Sequence, residues 1–260
     1  LPQSDVIPPY PDQSSEAPKP LGFLSGGGPL KALWNQLIDT HPAPPLWVIA
    51  VAGVVAFGIV AYPQTWHLSR GLITIAHEGG HALMAVLTRR KLRGIRLHSD
   101  TSGVTLTRGR PTGPGMVLTA AAGYIAPSLV GLGAAWLTDA GHVTLLLWLV
   151  LVLLTCMLLL IRNVFGVVSL LAVGGAVFCV SWLATPDVQG VVAYGAAWFL
   201  MLGGVRPILE LQRKRRRGRA PDSDADQLAR LTRVPGALWV FLFFVVSVVA
   251  LGYGGYLLVM

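Results

Sequence analysis

Long apolar runs alternate with short polar connections over most of the chain. Seven runs approach the ~20 residues that a spanning helix needs: roughly 46–62, 67–88, 115–137, 142–161, 164–184, 188–207 and 236–259. The pattern predicts an all-α polytopic membrane protein with about seven transmembrane helices. Residues 92–107 break it. Leu92–His98 alternates apolar and polar residues, as does Gly103–Thr107, and Ser99-Asp100-Thr101-Ser102 between them are turn formers. That is the signature of a short β-hairpin after the second span. Its edge suits pairing with an extended peptide, with Gly103 and Val104 as the contact residues; the same pattern also fits an ordinary surface hairpin.

Residues 1–44 are rich in Pro, Ser and Asp and lack apolar periodicity. They are expected to be a disordered tail, leaving 45–260 as the membrane domain. Leu30–Asp39 within the tail suits a short amphipathic helix on the membrane surface. No basic stretch precedes an apolar run near residue 1, so no signal peptide is expected.

Composition agrees with this picture. Of the 260 residues, 53% are hydrophobic and 12% charged, about half the charged share of a soluble domain, and the mean hydropathy is +0.62. The formal net charge of +8 does not point to nucleic acid, because the cations sit in loops between apolar runs. Arg89, Arg90, Lys91, Arg93, Arg96, Arg108 and Arg110 follow the second run; Arg162 follows the fourth; Arg213–Arg217, Arg219, Arg230 and Arg233 follow the sixth. The opposite loops offer Asp139 and Asp187, with Arg70 near the first connection. The positive-inside rule then puts the basic loops and the N-terminus in the cytoplasm and the C-terminus outside the cell membrane. Cys156 and Cys179 both fall in apolar runs and read as packing residues rather than a disulfide or a metal pair.

The chemistry concentrates in His77-Glu78-Gly79-Gly80-His81, inside the second run. Residues four apart share one helix face, so His77 and His81 would present two imidazoles to a zinc ion. Glu78 lies beside them, placed to act as a general base on water activated by the metal. Three ionisable side chains on an apolar helix are costly unless they are used. The alternative is that they satisfy one another inside a bundle. Gly79 and Gly80 fit either tight helix packing or room for a substrate backbone. The run of small residues from Ala120 to Gly131 favours close helix contact, and Pro127 within it should kink the helix.

Two further positions carry polar groups that the spans do not explain. Asn163 either caps a helix or faces the zinc site, as an oxygen ligand or a donor to the scissile carbonyl. In Asp222-Ser223-Asp224-Ala225-Asp226, Ser223 and the acidic residues after it open a short helix. Asp224 or Asp226 could fold back to the cytoplasmic mouth as a distant ligand.

Taken together, these residues resemble the site-2 protease family of intramembrane zinc metalloproteases, and more closely its bacterial, peptidase M50B-like branch. The resemblance covers about residues 66–240. It rests on His77-Glu78-Gly79-Gly80-His81, the Gly-containing hairpin, Ala122-Gly123-Tyr124 with Pro127, and Ser223-Asp224-Ala225. It implies zinc as cofactor, His77 and His81 as ligands, Glu78 as general base, and a membrane protein substrate cut within the lipid bilayer. The family usually takes a third ligand from the Asp of Asn-x-x-Pro-x-x-Pro-Leu-Asp-Gly. Asn163 stands where that Asn is expected, but the prolines are missing and 164–175 contains no acidic residue. Asn163, Asp187, Glu210 and Asp224 remain as candidates, with Asp187 expected on the wrong side of the membrane. The missing Asp leaves a second possibility, a membrane scaffold or binding protein that keeps the fold without hydrolysis. A transporter using His77 and Glu78 as a relay would show an internal repeat, and none is evident.

Overall fold

The computed structural model describes residues 34, 38–218 and 223–260. The chain forms two units, Leu1–Ile38 and Asp39–Met260. Of the first, Trp34 and Ile38 are described, both helical and exposed; the rest of that unit, with most of the expected tail and of the amphipathic segment, lies outside the described residues. In the second unit, 39–44 have no helix or strand. The His41 amide donates to the Gly141 carbonyl (2.9 Å), and the His41 ring meets the Thr144 hydroxyl at 3.0 Å.

The helices are α1 (Leu46–Ala61), α2 (Pro63–Leu87), α3 (Pro114–Asp139), α4 (Val143–Leu160), α5 (Val164–Leu183), α6 (Pro186–Arg216), α7 (Asp224–Thr232) and α8 (Gly236–Val259). Strands β1 (Lys91–Leu97) and β2 (Gly103–Arg108) lie between α2 and α3. Five helices, α3, α4, α5, α6 and α8, are long and apolar enough to cross a membrane. The expected first two spans are different. α1 and α2 pass that test only together, and they are bent by 100° at their junction, so the described residues hold five or six candidate spans where seven were expected. The reason is local. At 16 residues, α1 is about 24 Å long, short of the ~30 Å hydrocarbon core. Pro63 drives Tyr62 into extended backbone (φ −81°, ψ 128°), as the residue before a proline prefers. α2 is then diluted by its own His, Glu and Arg.

α3 is the hub, packed against α2, α6 and α8, and α6 also packs against α1 and α8. Small residues permit these close approaches. A Cβ on Gly80 would meet the Ala122 carbonyl oxygen at 2.9 Å and the Ala126 methyl, and a Cβ on Gly131 would meet the Met201 amide at 2.8 Å. A Cβ on Gly79 would stand 3.3 Å from the Met157 sulfur. Both glycines of the His-Glu-Gly-Gly-His stretch therefore serve helix packing, and neither lines the cavity described below. Outside the core, large apolar side chains face outward on α1, α4, α5 and α8, Trp47, Leu159, Trp182 and Phe241 among them, as lipid contact requires. Cys156 and Cys179 are free thiols on such exposed faces, not packing residues of the core.

The hairpin forms where the alternation predicted it. β1 and β2 pair antiparallel, with a bulge between Leu92 and Gly94. Gly94 adopts φ +151° there, backbone that a side chain would strain. In the turn, Asp100 Oδ1 accepts from the Ser102 amide (2.9 Å) and hydroxyl (2.7 Å). Ile95 and Leu97 are buried against Ile75, Ala82, Leu154 and Ile161. The far edge of β1 is taken by a bridge from Ile95 to Ile161. Among the described residues β2 pairs with no strand other than β1.

Candidate metal centre

His77 and His81 lie one turn apart on α2, and their rings meet edge to face with centroids 4.7 Å apart. The two Nε2 atoms are 3.1 Å apart. The Thr119 carbonyl on α3 can only accept, so His81 Nδ1 donates to it at 2.7 Å, which leaves His81 Nε2 as the atom facing His77. Asp224 Oδ2 completes a triangle, 3.3 Å from each Nε2. A tetrahedral ion with bonds of about 2.0–2.1 Å sets its donors about 3.3 Å apart. These three residues thus form a group able to hold a metal ion, and two imidazoles with one carboxylate are a donor set that zinc accepts.

The carboxylate arrives on a separate element. Ser223 caps α7, its hydroxyl accepting from the Asp226 amide (3.3 Å) and donating to Asp226 Oδ2 (2.5 Å). Ala225 and Leu228 are fully buried among Ala120, Ile208, Leu211, Val240 and Phe243, which turns Asp224 toward α2. Burial alone would raise the pKa of the Asp224 carboxyl, but the adjoining His77 and His81 outweigh it and hold the group well below the usual carboxylate range. It is therefore ionised, the form that binds a cation.

Glu78 is buried beside the triangle at 3% exposure. The Thr105 hydroxyl of β2 donates to its Oε2 at 2.6 Å. Gly103 is the point of closest approach: a Cβ there would stand 2.6 Å from Glu78 Oε1. Val104, its neighbour, is exposed. Arg70, Thr74, His77, Glu78, Gly103 and Tyr124 are among the residues lining a cavity of about 170 Å³. The Tyr124 ring sits edge-on to His77 (centroids 4.8 Å) and stacks on Phe243 of α8 (5.4 Å).

A model of the Peptidase M50B-like family matches residues 50–254. The chain belongs to that family. Comparisons with curated proteins and with solved structures return no match. The matched range takes in the α2 imidazoles, the hairpin and α7, and M50B-like membership, with five or six apolar spans, supports a membrane-embedded peptidase.

The remaining M50B-like site candidates fall elsewhere. Both polar atoms of the Asn163 amide serve β1: Nδ2 donates to the Leu97 carbonyl (2.6 Å), and Oδ1 accepts from the Leu97 amide (3.2 Å). Asn163 thus pins the hairpin that carries Thr105 and Gly103. Glu210 accepts from Trp66 Nε1 (2.9 Å) and Arg206 Nε (3.1 Å). Asp187 lies in the first turn of α6, and Asp226 pairs with Arg215. The small residues of the third run predict only close helix contact, yet Thr119, Gly123 and Tyr124 from it adjoin the imidazoles. The matching Ala122-Gly123-Tyr124 was the available signal. Asn163→Ala is expected to leave zinc content at the wild-type level and to destabilise the protein by about 1–3 kcal/mol through two lost hydrogen bonds. Elemental analysis and thermal unfolding check the two halves.

Proposed function

We propose that this chain is a zinc-dependent intramembrane endopeptidase that cuts a transmembrane segment of a membrane protein. The observation that carries the reading is the convergence of His77, His81 and Asp224 beside a buried, hydrogen-bonded Glu78. His77, His81 and Asp224 would hold the metal. Bound zinc supplies Lewis acidity, making water nucleophilic near neutral pH and polarising a carbonyl. Glu78 would take the proton of the attacking water and pass it to the leaving amine. Thr105 keeps that carboxylate oriented, and Thr119 keeps His81 turned to its partners. Substrate would enter as an extended strand along β2, with Gly103 and Val104 against it. The alternative, a scaffold that keeps the fold without hydrolysis, was motivated by a missing acidic ligand; Asp224 at 3.3 Å from both Nε2 atoms supports the hydrolase instead.

The basic loops favour a cytoplasmic site in the cell membrane. His81 and His77 stand about 9 and 15 Å along α2 from Leu87, within the inner half of the bilayer and in reach of cytoplasmic water. The C-terminus, beyond α8, is then outside. Residues 45–260 would form the protease domain, with 1–44 as its tail. Purified protein is expected to hold about one zinc per chain and to cleave a single-span substrate. A chelator should stop cleavage, and added zinc should restore it. Wild-type protein that holds no zinc, or cleavage indifferent to the chelator, refutes the assignment.

A further inference from the structure

The carboxylate of the metal centre does not belong to the helix that carries the imidazoles. It rides on α7, nine residues long, and a helix of that length is not stable by itself. Asp224 is in place only while α7 stays docked. One half of the docking is apolar, through Ala225 and Leu228. The other half is ionic and comes from the last turn of α6. Arg213, Lys214, Arg216 and Arg217 are exposed there, while Arg215 is half-buried. Arg215 continues the face of Gly204, Ile208 and Leu211, the buried stripe of α6. Its guanidinium pairs with Asp226 Oδ1 and lies 3.5 Å from the Ser223 hydroxyl. It therefore engages both the cap and the third residue of α7, on either side of Asp224. Gly236, at the start of α8, leaves the space: a Cβ there would stand 2.5 Å from one Arg215 terminal nitrogen and 2.9 Å from its Cζ.

We propose that Arg215 is a positioning residue that seats α7, and with it Asp224, against His77 and His81, so that α6 sets the affinity of the metal centre. The inference rests on the metal reading above and adds a control to it. The apparent dissociation constant of a site that is complete only part of the time rises as the complete fraction falls. Arg215 touches none of the three ligands, so its effect reaches the metal through the population of docked α7. The neighbouring arginines, exposed on the same turn, lack this effect.

The test is a Co²⁺ titration of the purified full-length protein against a competing chelator, with zinc removed beforehand. Arg215→Gln should weaken apparent affinity roughly tenfold or more, the range for residues that orient metal ligands. Asp226→Asn should weaken it comparably, the double variant should add little to either, and Arg215→Lys should restore most of the loss. Arg216→Gln should match wild type. The Co²⁺ absorption spectrum of Arg215→Gln should move toward that of Asp224→Asn. In metal-free protein, amide exchange should quicken across 224–232 and stay unchanged across 236–259, which separates undocking of α7 from general unfolding. Wild-type affinity in Arg215→Gln, or additive losses in the double variant, overturns the proposal while leaving the zinc assignment standing. Wild-type protein that takes up no Co²⁺ overturns both.

Discussion

Glu78→Gln is expected to keep zinc and to lower cleavage by about 10²–10⁴-fold, the range for removal of a general base. The substitution is close to isosteric. The glutamine carbonyl still accepts from the Thr105 hydroxyl, which now stands 2.6 Å from Glu78 Oε2, and the buried side chain stays satisfied. Glu78 is not one of the three converging side chains, so metal content should not fall. What is lost is the ability to accept a proton, and with it the route from water to the leaving amine. Elemental analysis and product formation from a single-span substrate read the two effects separately. Cleavage at the wild-type rate with full zinc would remove Glu78 from the chemistry.

Gly123→Ala is expected to abolish metal binding although it adds one methyl group. A Cβ at Gly123 would stand 2.7 Å from His77 Cε1 and closer still to His81 Nε2, on the side where the two rings converge. Neither ring can simply rotate away. His81 is held by the Thr119 carbonyl at 2.7 Å, and His77 is backed by the Tyr124 ring. The helix itself cannot yield cheaply, because α3 meets α2 through Gly80 and Ala126 one turn further along. The methyl therefore parts the imidazoles. Alanine favours a helix over glycine by up to about 1 kcal/mol, so the fold should not suffer from the backbone change. Zinc content near zero with helical circular dichroism like wild type is the expected result. Stoichiometric zinc in Gly123→Ala would show that the rings do not need this gap.

How much of this was legible beforehand depends on how far apart in the chain the partners lie. The juxtaposition of His77 and His81 follows from helical period alone, and the structure keeps it. The hairpin followed from alternation around a turn, and its strands differ from expectation only at their ends. The Ser223 cap was equally local. The first two spans were misjudged because an apolar run says nothing about the angle at which two helices join. Tyr62-Pro63 marks the break, but nothing in that dipeptide specifies the 100° of the bend.

The carboxylates were the hardest. On paper Asn163, Glu210 and Asp224 stood open, Asp226 stood only as an alternative to Asp224, and Asp187 was expected on the wrong side of the membrane. Four of the five found different partners: Asp224 the imidazoles, Glu210 Trp66 and Arg206, Asp226 Arg215, Asn163 the backbone of Leu97. By itself, then, the sequence determined the helical character, the basic loops, the paired imidazoles and the adjoining Glu78, because period, hydropathy and charge act over a few residues. Only the tertiary structure decided which acid meets the imidazoles, which glycine makes room for them and which arginine pairs with Asp226. The first two contacts join residues dozens to more than a hundred positions apart, the third joins two consecutive helices, and the selection of all three depends on how the helices pack at once.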